Sequence, residues 1–599
     1  MRRFLLLFLT IPMLVACNEP KPPIEKPAKK EKETDVVYCN LTATDALNRT
    51  LPDWEEVGDP REKKQVGIFY WTWHTQQSQH GRVPAYNVSE ILREHPDAIN
   101  DFHHPMWPND THCYFWGEPL FGFYLNTDRW VLRKHAELLA LAGVDVVIFD
   151  CTNGNYTWKE SYMALCDVFM KARNDGVKAP HIAFMLAFGP TEGSKQAIEE
   201  IYEDLYKPGR YKDLFFMWKG KPLIMAYPDN LSDEIKNYFT FRPGQPTYNS
   251  GPSRDDHWGW LEVYPQHGYA KKSTGYEQVT VGVAQNWSAV RGLTAMNAPD
   301  VFGRSYTHHS GLIGGTDAVN HGYNFQEQWE RALQLDPQFI FVTGWNEWIA
   351  GRYETWGQQY NAFPDQFSQE RSRDIEPMKG GHGDAYYYQL VANIRRYKGT
   401  GRVEPPSEEL TVTIDGKKDE WEKVRPVYHT PRGNTLHRNH PGWAGIEFVN
   451  TSGRNDFTSA QVARDSEKIY FLIETAENIT PNSDPAWMWL LINTDRERKT
   501  GWEGYDFIVN RMTPTESTLI VEKNRGGWEW EKCGEATYKV SGKIMEVAIP
   551  RSVLSLDNGK LNFEFKWADN IQEAGDIMDF YLSGDVAPAG RFNFVYQEK

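Results

Sequence analysis

The chain has 599 residues, enough for more than one domain and for large buried cores. Its formal net charge is −16 and no basic block follows the first residues, which argues against nucleic acid as a partner. Aromatic residues make up 14%, with 23 Trp and 30 Tyr, a surplus suited to core packing and to stacking on sugar rings or cations.

Residues 1–17, MRRFLLLFLTIPMLVAC, place two arginines before a short apolar run. The run is too short and wrongly flanked for a membrane span and reads as a signal peptide. Its ending, Leu14-Val15-Ala16-Cys17, resembles a bacterial lipobox, which implies that Cys17 is acylated and becomes the new N-terminus. The expectation is a lipid-anchored protein of the bacterial cell envelope, on the outer membrane, at its periplasmic or surface face. Residues 18–40, rich in Pro, Lys and Glu, read as a disordered, solvated spacer. Cys39, Cys113, Cys151, Cys166 and Cys533 are widely spaced and offer no metal motif and no disulfide framework.

A strand–helix alternation fills 41–398. Expected strands are 66–73, 144–150, 181–188, 222–227, 238–241, 258–265, 279–287 and 338–345, most of them continuous apolar runs, as in strands covered on both faces. Asp128 can cap a helix ending at Gly143. Thr157 with Glu160 and Asn324 with Glu327 form capping boxes, and Asp384 opens a last helix. Eight strands with helices between them predict an α/β fold, a (β/α)8 TIM barrel. After a linker at 399–409 the pattern changes to short alternating strands, predicting an all-β sandwich over 410–599.

In a parallel barrel the carboxyl ends of the strands face the active site. Those ends supply Tyr70, Trp73 and His74 from strand one and Asp150 and Asn153 from strand two. Strand six supplies Glu262 and Tyr264, strand seven Gln285 and Trp287, and strand eight Trp345, Asn346, Glu347 and Trp348. Arg304 follows strand seven and can pair with a carboxylate, an anionic substrate or solvent. Carboxylates among amides and indoles suit a sugar site, where one acid protonates the leaving oxygen and another acts as base or nucleophile. Such chemistry requires no cofactor and no catalytic metal. Each acid also has a structural alternative as a helix cap or ion-pair partner. Glu347, between two indoles, is the foremost candidate, because burying a charge there is costly without a purpose.

GWNEW after the eighth strand, with GIFYWTWH, GVDVVIFD and YYYQLVANIRRYKG, resembles the family 99 glycoside hydrolases and their relatives over about 66–398. That resemblance implies a barrel and a retaining mechanism with two glutamates three residues apart after strand eight. The first falls on Glu347 and the second on Ala350, which cannot transfer a proton. The acid must then come from Glu262, the first choice, or Asp150. TIDGKKDEWEKV and WMWLLINTDRERKTGWEGYDFIVNR resemble family 9 carbohydrate-binding modules over about 410–599. That resemblance implies sugar-stacking indoles, with Trp487, Trp489 and Trp502 as candidates, and a structural calcium ion near 493–506. The expected function is hydrolysis of a poly- or oligosaccharide at the cell envelope, centred on Glu347. The alternative is a non-catalytic glycan-binding lipoprotein with a degenerate barrel.

Overall fold

The apolar runs of the first half form parallel strands in a curled sheet. They are β1 (Gln65–Tyr70), β2 (Val146–Cys151), β3 (His181–Leu186), β4 (Lys221–Met225), β5 (Thr240–Phe241), β6 (Gln278–Gly282) and β7 (Phe339–Thr343). Their order across the sheet is β5-β4-β3-β2-β1-β7-β6, every neighbour parallel. This computed structural model describes residues 40–75, 84–107 and 113–599. The leader, Cys17 and the spacer through Cys39 lie outside the described residues. Among the described residues no helix is long and apolar enough to cross a membrane.

The sixth of the eight expected strands does not join a backbone ladder. Residues 258–265 make one parallel bridge, from Trp258 to Gly244. Side chains take over on the other side. The Gln278 amide accepts from Gly259 N at 2.9 Å and donates to Gly259 O at 2.9 Å. The Thr280 hydroxyl donates to Trp260 O at 2.7 Å, and the Thr343 hydroxyl donates to the same carbonyl. The sheet therefore resembles a barrel with one seam held by side-chain hydrogen bonds.

Phe69, Trp71, Ile148, Met185, Leu223, Phe339 and Phe341 pack inside the curl. Alternate residues such as Val66, Ile68, Val147 and Ile340 pack outward beneath the helices. Helix α1 (Arg129–Ala142) is capped by Asp128, whose carboxylate accepts from Trp130 N and Val131 N, and it ends on Gly143 at φ 82°. Helix α2 (Lys159–Asn174) starts differently from the expected box: Trp158 is its cap, at φ 54°, and bonds no backbone N–H. Helix α3 (Tyr323–Leu335) is led by Gly322, since Asn324 pairs with Gln285 instead of capping. Asp384 precedes α4 (Ala385–Lys398) but binds Arg591 and Tyr581.

The second half supplies eleven strands of a twelve-stranded antiparallel sheet that curls onto itself, and a separate hairpin of Arg438–Pro441 with Glu447–Asn450. Phe471 meets Phe563 and Phe565, and Tyr428 meets Phe565 and Phe594 across the fold. The segment around 411–416 makes no strand, while Phe457–Arg464 and Glu529–Ser541 form two of the longer ones. Leu41–Thr42, expected with the barrel, pairs with Asn593 and Phe594 at the edge of this sheet.

The two halves interlock. Arg591 donates to Asp384 at 2.6 Å and Arg438 to Asp128 at 2.8 Å. Trp443, on a hairpin of the second half, is buried edge-on against Phe115 of the first, with centroids 5.3 Å apart. Trp487, Trp489 and Trp502, expected as open stacking platforms, are all buried within this half. Trp487 donates to Thr480 O, and Trp489 and Trp502 pack on Trp528. In 493–506, Asp506 accepts from Thr494, Asp495 from Thr500, and Glu503 pairs with Arg498 and Arg591. Among the described residues no group of three or more His, Cys, Asp or Glu is placed to hold a metal ion.

Candidate active site

The carboxyl ends of β1, β2 and β7, with the long connection from β7 to α4, bring acids and one guanidinium together. Glu347, just past β7, is fully buried. Arg373 Nη2 donates to its two oxygens at 2.9 and 3.1 Å, and Arg373 Nε donates at 3.3 Å. The same Nη2 reaches Asp365 Oδ1 at 3.3 Å, and Asn286 Nδ2 approaches that oxygen at 3.5 Å. Asp365 is the solvent-side member, with its side chain 46% exposed. Asp150, at the end of β2, accepts from Thr152 N at 3.0 Å and from Thr152 Oγ1 at 2.7 Å through Oδ1, while Oδ2 has no protein donor.

These groups share one electrostatic field. Burial pushes the Asp150 carboxyl up to about 6, the Thr152 hydrogen bonds oppose it, and the charges of Asp365 and Arg373 act in opposite senses. Burial also pushes Glu347 well above the ordinary carboxylate range, with Arg373 opposing and Asp365 and Asp374 reinforcing. The Tyr248 phenol, bonded to Asn286, is pushed up by burial and feels Arg373, Asp365 and Glu347. Both Glu347 oxygens accept from Arg373, so Glu347 is an acceptor here. Asp150, raised to about 6 and with one oxygen free of protein donors, is the acid placed to hold a proton in mildly acidic solution.

Aromatic rows flank this cluster. Trp71 lies 4.3 Å from Trp73, Trp73 5.5 Å from Trp158, and Trp158 5.4 Å from Tyr156, which is 61% exposed. On the other side Phe188 and Tyr248 pack on Trp260, and Tyr248 on Trp287. Arg373 lies over Trp260 at 5.8 Å. The indole N–H groups of Trp71, Trp73, Trp158 and Trp260 have no protein acceptor, nor does Arg373 Nη1 have one. These donors belong to the two aromatic rows and to the guanidinium of the acid cluster. Trp158 stands at φ 54°, a strained region for a bulky residue and one that recurs at functional sites.

Of the residues singled out from sequence, Asp150, Glu347, Trp73 and Trp287 meet here, and Asn153 lies exposed beside Thr152. The others serve structure. Glu262, the first choice for the missing acid, is fully buried elsewhere, accepting from His267 N, His267 Nδ1 and Tyr269 OH at 3.1, 3.0 and 2.7 Å. It is a saturated anchor for its loop. Tyr264 packs on His308. Gln285 exchanges amide bonds with Asn324. Arg304 is fully buried, over the Tyr386 ring at 4.3 Å and bonded to Ser372 and to Asp374 O. His74 is buried and held neutral, its imidazole pushed down to about 3 by burial and by His135.

Tyr70 bonds His135 at 2.7 Å and Trp345 packs edge-on against the same ring. Asn346 extends the ladder by side chain, accepting from Trp71 N at 2.8 Å and donating to Trp71 O at 3.2 Å. Trp348 stacks on Trp116 at 4.8 Å. Ala350 is buried opposite Tyr114 in a two-stranded pairing. Sequence reasoning missed Arg373, Asp365, Tyr248, Trp158 and Trp260. For Arg373 and Asp365 the available signal was the length of the segment after the eighth strand, because long structured connections in compact domains usually carry function.

No known family's sequence profile matches the chain, and no curated protein does. Among solved structures, a family 99 endo-α-mannosidase from Bacteroides thetaiotaomicron is 15% identical, with 56% of this chain and 97% of that chain covered and a TM-score of 0.34. The same enzyme with bis-tris propane scores 0.33 at the same identity and coverage. A family 5 glycoside hydrolase from Bacteroides vulgatus is 10% identical, with 72% and 89% covered and a TM-score of 0.20. Scores this low assign no role to any residue.

Proposed function

We propose that the protein is a glycoside hydrolase acting on a poly- or oligosaccharide. The observation that carries the reading is the binding of Glu347 and Asp365 by the single guanidinium of Arg373 between two aromatic rows, with the raised carboxyl of Asp150 in the field of Asp365 and Arg373. Ring faces suit the apolar faces of sugars, and free indole N–H groups suit their hydroxyls. Asp150 protonates the leaving oxygen, which Ala350 cannot do. Glu347, kept as an acceptor by Arg373, serves as base or nucleophile. Ala350 separates this site from the family 99 pattern, so the reading names the reaction and not the sugar. On the leader and Cys17 alone, the proposal extends to an enzyme tethered at the bacterial cell envelope.

A second reading, glycan binding without cleavage, is favoured by the occupation of both Glu347 oxygens. One experiment separates them. The protein is incubated with plant, fungal and host polysaccharides and new reducing ends are measured, with Glu347→Gln and Asp150→Asn alongside. Release by the parent, abolished in both variants, supports hydrolysis. No release from any glycan, with binding retained in the parent, rejects hydrolysis in favour of the second reading.

A further inference from the structure

The segment that delivers Arg373 continues into a second buried carboxylate, Glu376, which touches no part of the acid cluster. Oε2 of Glu376 accepts from Trp348 Nε1 at 2.5 Å and from Tyr124 OH at 2.9 Å. The Tyr124 oxygen in turn accepts from Asn346 Nδ2 at 3.2 Å. Trp348 and Asn346 are the two neighbours of Glu347 in the chain. The backbone repeats the grip: Ile375 N and Glu376 N both donate to Trp345 O, at 3.1 and 2.9 Å. Oε1 of Glu376 lies 2.7 Å from His135 Nε2, and His135 Nδ1 lies 2.7 Å from Tyr70 OH. A carboxylate only accepts, so Nε2 carries a proton toward Glu376, and the Tyr70 hydroxyl is the partner of Nδ1 on the other side of the ring. All of these groups are buried.

We infer that Glu376 is the positioning residue of the site: it clamps both sides of Glu347 and so fixes the direction of that carboxylate toward Arg373. This inference rests on the glycosidase reading for its meaning in catalysis, although the clamp itself can be tested without any substrate. Other acceptors could stabilise Trp348 alone. What points to positioning is that one carboxylate serves residues 346 and 348 together, on a segment that also supplies the partner of residue 347. The arrangement predicts which replacement is tolerated. In Glu376→Gln the amide oxygen still accepts from Trp348 and Tyr124. The amide nitrogen donates to His135 Nε2 once the ring moves its proton to Nδ1 and donates to Tyr70. Alanine offers none of this.

The test compares the full chain with Glu376→Gln and Glu376→Ala, each labelled with ¹⁵N in arginine, tryptophan and histidine. The Arg373 Nε–H signal reports its contact with Glu347 directly. The expected result is a displaced or broadened Arg373 signal in Glu376→Ala, its retention in Glu376→Gln, and a reversed His135 tautomer in the latter. If a hydrolysed glycan is found, kcat should fall about 100-fold in the alanine variant with KM little changed, and recover in glutamine. An Arg373 signal identical in all folded forms overturns the inference. Should Glu376→Ala fail to fold, Tyr124→Phe, which cuts only the bond to Asn346 and one bond to Glu376, must move the Arg373 signal or the inference is overturned. Absence of hydrolysis by the parent would reject the glycosidase reading while the Arg373 signal still decides the clamp.

Discussion

Asp150 and Glu347 were both legible as strand-end acids, yet what divides them is Arg373, which bonds Glu347 and leaves Asp150 to its neighbour Thr152. Asp150 is bonded only by its neighbour Thr152 and keeps one oxygen free, so burial dominates and raises it. A raised carboxyl makes the folded state bind a proton that the unfolded chain releases near pH 4. Stability therefore falls as pH rises from about 4 through about 6 and is lowered by a constant amount above that. Asp150→Asn should lie close to the parent at pH 4 and be roughly 3 kcal/mol more stable at pH 7, read from urea midpoints. Glu347 and Arg373 form the opposite kind of site, where each charge depends on the other. Arg373→Ala should cost about 3–5 kcal/mol by leaving a buried charge unpaired. Replacing both residues by methionine should recover much of that in the same denaturation series. Equal stability of the single and double variants would show that the pair is not coupled. No periodicity marks Arg373, because it sits in irregular chain and its contacts with Glu347 and Trp260 reach across the fold.

At the scale of elements, seven of the eight expected strands formed close to their predicted positions, since continuous apolar runs bounded by turns suit a sheet covered on both faces. The segment 258–265 has the same composition and was read the same way. It differs in that its Gly259 and Trp260 backbone groups meet side chains: Gln278, Thr280 and Thr343. Sequence pattern reports which residues are apolar and not whether a neighbouring strand or a neighbouring amide satisfies the backbone. Asn346 plays the same part at the end of β7. Gln278→Leu should then leave both the N–H and the C=O of Gly259 without partners and cost about 2–4 kcal/mol. Amide exchange at Gly259 should accelerate in step with the fall in the urea midpoint. Unchanged exchange would mean that the seam is held elsewhere. In the second half, alternation revealed most inner strands, whereas Glu529–Ser541, exposed along much of its length, offered too weak a pattern.

At the scale of the whole molecule, the barrel-like half and the antiparallel half, expected on either side of a linker, interlock through buried contacts. Trp443 reaches from the second half to Phe115, and Phe115 pairs with Ile349, two residues beyond Glu347. The second half thus buttresses the loop that carries the acid. Trp443→Ala should destabilise the entire protein by about 3–5 kcal/mol and lower any activity through that loop, as measured by calorimetry and by a single shared unfolding transition. A chain ending at residue 404 should be insoluble or unfolded on size exclusion and circular dichroism, because it exposes the face against Trp443, Arg591 and Tyr581. A monomeric, folded fragment of that length would contradict this interdependence.

The pairing of Leu41–Thr42 with Asn593 and Phe594, with Val595 N donating to Asn40 O, also means that the first and last strands of the described residues are neighbours in one sheet. Bridging residue 599 to residue 40 with a few glycines would demand no strain from the fold while restricting the unfolded chain, so the gain would be one of entropy alone. New ends could then be opened at any exposed turn, so that the order of the two halves along the chain would no longer matter to the fold.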